Sequence, residues 1–264
     1  MRTTSVAGTG QVTSRDGARL GYTIQGSGPA LLLIHCVAVD RTTTPQPTLA
    51  AALAEHFTVI SYDRRGTGDS IAVEPYAVER EFDDMATLMR LVDGPVSGYG
   101  FSSGATLALL AARAGVPFRR LALLEPPLMT DSWEDQTDTL RELLRRDGPA
   151  AAREFYIREV VGVPEEVLAE LAPSERDLAN APAMLHEMAF LPGTHAEAFR
   201  GLETPTLLIR SDHTAPEMAE WARELVAVMP NARDVELPGE WHGVDDATLT
   251  GAIRTFLHDE GAAS

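Results

Sequence analysis

Glycines stand two residues before and two residues after a serine in Gly100-Phe101-Ser102-Ser103-Gly104. This is the G-x-S-x-G pattern, in which a serine sits on a sharp strand-to-helix turn with its hydroxyl held clear of the backbone. A turn that tight presses both flanking positions against neighbouring backbone, and glycine has no Cβ to collide there. Such a serine can attack an acyl carbonyl and form an acyl-enzyme that water then hydrolyses. The helix that follows aims N–H groups and its positive dipole end at the place where negative charge develops. The serine needs a base, and the base needs an orienting acid. Of the seven histidines, His242 alone lies just beyond the last predicted strand and before a helix, within reach of the serine. Two carboxylates fall at predicted strand ends. Glu125 directly follows Leu121–Leu124, and Asp212 follows Leu207–Ile209 and Arg210-Ser211. An open α/β sheet gathers its ligand-facing groups at the carboxyl ends of its strands, so both are candidate acids.

The elements that must hold these residues are legible along the chain. Gln11–Ser14 and Leu20–Gln25 flank Arg15-Asp16-Gly17 and predict a β-hairpin. Ala30–Ile34 is apolar without alternation, as a strand covered on both faces requires. Helical stretches are expected over 49–56, 81–92 and 103–114, and strands over 57–62, 95–101 and 120–124. After Pro126-Pro127, which ends that strand, the alternation breaks. Residues 128–202 show helical segments at 133–146, 150–161, 164–171 and 183–190 with no strand between them. Strands at 206–209 and 233–237 and helices at 216–229 and 245–258 then restore the rhythm. The prediction is a doubly wound, mostly parallel sheet flanked by helices, with an antiparallel start. Residues 1–127 and 203–260 form its core domain, and 128–202 form an inserted helical cap.

Composition narrows the class. The 264 residues are 44% hydrophobic and carry a formal net charge of −17. That charge argues against nucleic acid or an anionic membrane as partner and for a soluble, cytoplasmic protein with a small-molecule substrate. The single cysteine, Cys36, rules out an intrachain disulfide and a cysteine-based zinc site. No metal-ligand cluster is visible, and no cofactor is expected. The first eight residues have no apolar core of the kind a secretory signal uses, and the apolar run from Ala30 to Val39 is too short to span a bilayer.

Taken together, the chain resembles the α/β-hydrolase superfamily over nearly its whole length outside the 128–202 segment. Leu32-Leu33-Ile34-His35 resembles the strand that ends in that family's His-Gly oxyanion loop. Tyr62-Asp63-Arg64-Arg65-Gly66-Thr67-Gly68-Asp69-Ser70 is similar to its D-x-R-G-x-G-x-S loop, and Gly239-Glu240-Trp241-His242-Gly243 to the loop of its late histidine. The resemblance implies an α/β-hydrolase fold with a helical lid inserted between strands 6 and 7. It implies Ser102 as nucleophile, His242 as base, and a loop-stabilising part for His35. Ser103 would supply an oxyanion N–H, with Cys36 and Val37 supplying the other, although Cys36 stands where the family has glycine. Leu124-Glu125-Pro126-Pro127 resembles an E-P-P stretch in a subset of these hydrolases, and the elbow and acid resemble the zearalenone-type lactonases. That favours Glu125. The Arg210–Pro216 loop lacks the glycine of the commoner aspartate loop, which leaves Asp212 the alternative. Met129, Trp133, Tyr156 and Met188 in the lid would line an apolar pocket. The implied function is a serine hydrolase of an ester or lactone of a hydrophobic small molecule. A non-hydrolytic cyclase or isomerase, or a ligand-binding receptor, is the alternative on the same fold.

Overall fold

A computed structural model describes residues 8–36, 38–43, 45–168 and 172–259. Eight strands form one sheet in the order β1-β2-β4-β3-β5-β6-β7-β8. These are β1 Gly8–Thr13, β2 Arg19–Gly26, β3 Ala30–Ile34, β4 Thr58–Tyr62, β5 Val96–Phe101, β6 Phe118–Leu124, β7 Thr206–Ser211 and β8 Ala232–Leu237. β1 pairs antiparallel with β2, and β2 antiparallel with β4. Every pairing from β4 across to β8 is parallel.

The unbroken apolar run of β3 has a direct physical reason. Leu32 and Ile34 face one core together with Met85 and Leu88 of α2 (Val78–Met89) and Leu107 of α3 (Ser103–Arg113). Leu31 and Leu33 face a second core with Leu49 and Leu53 of α1 (Gln46–Ala54) and Ile253 and Leu257 of the C-terminal helix. Both faces are dry, so no polar alternation is tolerated.

Between β6 and β7 the described chain is helical: α4 Glu134–Arg146, α5 Pro149–Phe155, α6 Glu165–Leu168, α7 Glu175–Asn180 and α8 Met184–Phe190. The expected single helix over 150–161 is two elements, because α5 widens into a π-helical turn over Tyr156–Val160. α7 was not anticipated. Its signal was present in Ser174 and Asp177, which form a reciprocal capping box. This segment has its own small core of Leu140, Ala152, Tyr156, Ala181, Met184 and Met188, and Ala38 from the loop after β3 joins it. The chain closes with α9 Pro216–Val228 and α10 Asp246–His258. Among the described residues no helix is long and apolar enough to cross a membrane.

Candidate active site

Ser102 ends β5 and caps α3 with φ 53° and ψ −129°. Its N–H donates to the Leu124 carbonyl at 2.9 Å, which extends the β5–β6 ladder to the last possible residue before the turn. The flanking glycines do what their spacing suggests. A Cβ on Gly100 would lie 2.6 Å from Ala105 Cα, and one on Gly104 would lie 2.5 Å from the His35 carbonyl oxygen. Ser103 opens α3, so its N–H belongs to the positive end of the helix.

One strand over, Glu125 N–H donates to Ile209 O at 2.9 Å, which fixes Glu125 at the end of β6 between β5 and β7. The residue is 1% exposed. Oε2 lies 2.5 Å from His242 Nδ1, and Oε1 accepts from the Ser211 N–H at 2.9 Å and from the Ser211 hydroxyl at 3.2 Å. Burial pushes this carboxyl up, but the hydrogen bond from His242, its charge and the Ser211 N–H outweigh burial, and the net direction is down. Glu125 is therefore held as a carboxylate.

His242 lies in the turn after β8 that is closed by Glu240 N–H to Gly243 O and Gly243 N–H to Glu240 O. Its ring rests on Phe101, the residue before Ser102, at 4.9 Å between centroids. Ser102, Glu125, His242 and Ala38 are the non-glycine residues with positive φ among the described ones. Three of these strained residues, Ser102, Glu125 and His242, belong to the strand ends where Glu125 meets His242 and His242 packs on Phe101, the expected mark of a site whose geometry outranks local comfort.

Asp212 is elsewhere. It accepts from Gly239 N–H at 3.0 Å and pairs with the exposed His213 at 3.0 Å, whereas His242 Nδ1 pairs with Glu125. His35 is 1% exposed, and burial pushes its ring down to about 4, which keeps it neutral. Cys36 is half-buried, and burial together with the nearby Glu187 carboxylate pushes its thiol up to about 12, which keeps it a thiol. Val37 lies outside the described residues.

The four expected pocket residues do not share a wall. Trp133 and Met188 border an open hollow with Ser132, Thr137 and Arg141. Tyr156 is fully buried inside the helical segment's own core, and Met129 packs at the edge of the main core, bridged to Pro192. Helical spacing reported these side chains as apolar, and most of that apolar surface is spent on packing the segment together. The narrow crevice beside Cys36 is lined instead by Ala38, Arg64, Arg65, Thr67, Ala183, His186 and Glu187, and it has no room for a water molecule.

Arg64, quoted from sequence only as part of a loop motif, and Glu187 were given no part in the site by the expectations from sequence. Arg64 clasps Glu81 with two hydrogen bonds of 2.8 and 2.7 Å, reaches Glu187 of α8 at 2.5 Å, and approaches the His35 carbonyl at 3.5 Å. Glu187 also accepts a hydrogen bond from the Ser103 side chain. The available signal was a lone carboxylate inside Met184-Leu185-His186-Glu187-Met188-Ala189-Phe190, a stretch apolar but for it and His186.

The family model described as the alpha/beta hydrolase family matches residues 31–248, and the chain belongs to that family. A crystal structure of an alpha/beta hydrolase from Sphaerobacter thermophilus is 33% identical with TM-score 0.87, over 94% of this chain and 100% of the other. A thermophilic esterase from Thermogutta terrifontis, solved with malate bound, is 26% identical with TM-score 0.70, over 95% and 98%. The 2-(acetamidomethylene)succinate hydrolase of Mesorhizobium japonicum is 25% identical over 253 residues, 88% of this chain and 89% of that protein.

Proposed function

We propose that this hydrolase cleaves an ester or lactone bond of a hydrophobic small molecule through an acyl-enzyme on Ser102. The observation that carries the reading is the Glu125–His242 hydrogen bond at the strand ends next to Ser102. A carboxylate accepting from Nδ1–H leaves Nε2 as the basic nitrogen, so His242 takes the Ser102 proton and later returns it to the leaving group. Glu125 holds that tautomer and stabilises the imidazolium. The Ser103 N–H and the backbone after β3, at Cys36 and Val37, receive the oxyanion. The segment 128–202 acts as a cap over this site. Position and partners support Glu125 over Asp212 as the acid, the arrangement of the subset whose acid follows strand 6. The esterase relative supports an ester as substrate.

The test is labelling by a fluorophosphonate probe together with turnover of short aryl esters. The parent labels and turns over, and Ser102→Ala loses the label and about 10⁴-fold or more in kcat. A parent that neither labels nor turns over refutes the hydrolase reading, and activity retained in Ser102→Ala refutes Ser102 as nucleophile.

A further inference from the structure

The crevice beside Cys36 has two arginines in its wall, and each already has its carboxylates. Arg65 gives Nε and Nη2 to Asp84 at 2.9 and 2.8 Å, and Nη1 to Asp16 at 2.9 Å. Arg64 is shared between two acids, Glu81 from α2 and Glu187 from α8. Both its partners are 1% exposed, and Arg64 is 5% exposed. Tyr76 adds a hydroxyl hydrogen bond of 2.9 Å to Glu81 and stacks on His186, whose ring burial keeps it neutral. With both acids ionised the Arg64 cluster holds one negative charge in excess. With Glu187 protonated it is neutral. In neither state does the crevice have positive charge to spare.

Position makes this matter for substrate choice. Glu187 is hydrogen-bonded to the side chain of Ser103, the residue next to Ser102, and shares the crevice with Cys36 and Ala38 of the loop after β3. A carboxylate on the substrate brought close to the reacting carbonyl would be desolvated there with no cation to receive it. An uncharged group beside the reacting carbonyl carries no such cost. We propose that Glu187, by occupying Arg64, is a specificity-determining residue that restricts this enzyme to substrates uncharged near the scissile carbonyl. The inference rests on the hydrolase reading above and adds the charge class of its substrate.

Dimethyl glutarate and monomethyl glutarate share one skeleton and differ by one carboxylate. The parent enzyme should cleave the diester with a kcat/KM about 100-fold or more above that for the monoester, the size a like charge a few ångströms away has at an effective dielectric near 20. Glu187→Gln keeps the side-chain volume and removes the charge, and it should narrow that ratio at least about tenfold, mainly by raising the monoester rate. Because the ratio is taken within one preparation, a partly unfolded variant does not alter it. Comparable rates for the two esters in the parent, or an unchanged ratio in Glu187→Gln, overturn the proposal. Failure of the hydrolase reading looks different: no labelling and no cleavage of either ester. In that event titration calorimetry of Ser102→Ala with the same two esters decides the charge preference. Tighter binding of the diester supports it, and equal or tighter binding of the monoester overturns it.

Discussion

Ser102, Glu125, His242 and Ala38 all hold positive φ without being glycine. Such conformations cost about 1–3 kcal/mol each and persist only when the surroundings enforce them. At Ser102 the enforcers are the Leu124 hydrogen bond before the turn and α3 after it. Ser102→Gly should therefore raise stability by about 1 kcal/mol, read as a higher urea midpoint, while abolishing turnover. Ser102→Ala keeps a Cβ and should show no such gain. The choice of acid is also a residue-scale matter. Glu125→Ala should lower kcat about 10⁴-fold, and Asp212→Ala, which removes only a surface bond to Gly239 and a pair with His213, should stay within a few-fold of the parent. The reverse order would move the acid to Asp212.

At the scale of elements, what could be read from sequence was whatever rests on period and punctuation. The two-sided apolar strand β3, the hairpin β1–β2 and the glycines around Ser102 each follow from a local rule, and each stands where that rule put it. Glu125 was legible because it ends a strand. Ser211, which holds its other oxygen, was not, because its part depends on β6 and β7 being neighbours. The same holds for Arg64 and Glu187, 123 residues apart in sequence and joined only by the packing of α8 on the core. The pocket expectation was of a different kind. Periodicity marks a face as apolar and does not say whether protein or ligand covers it.

Asp40 joins the loop after β3 to α7, accepting from Arg176 at 2.6 Å and from Asn180 at 3.0 Å. Burial pushes its carboxyl up, but the bonds from Thr42, Arg176 and Asn180 prevail and bring it to about 2, against 3.8 when unpaired. A carboxyl lowered on folding stabilises the protein fully above its unfolded value, and the contribution fades as pH falls from 3.8 towards 2. It amounts to about 2 kcal/mol at neutral pH. Asp40→Asn should cost about that much in urea denaturation at pH 7, with the difference from the parent shrinking below pH 4.

Over the whole molecule, 39 acidic residues against 22 basic ones leave a net charge of −17. Self-repulsion of that size works against the compact state and is screened by salt, with a Debye length of about 3 Å at 1 M. The melting temperature should rise when sodium chloride goes from about 10 mM to about 1 M. A fall would mean that exposed pairs such as Arg145–Glu142 and Arg200–Glu197 contribute more than the repulsion does.

The helical segment between β6 and β7 is tied to the core unequally through two of its helices. Near α8 the tie is Arg64 with Glu187, both buried; near α7 Asp40 holds the buried Asn180 and Arg176, and the arginine is 43% exposed and open to water. An attachment that water can replace gives way before one that it cannot reach. Amide protons of α7 should therefore exchange ahead of those of α8, which hydrogen–deuterium exchange checks.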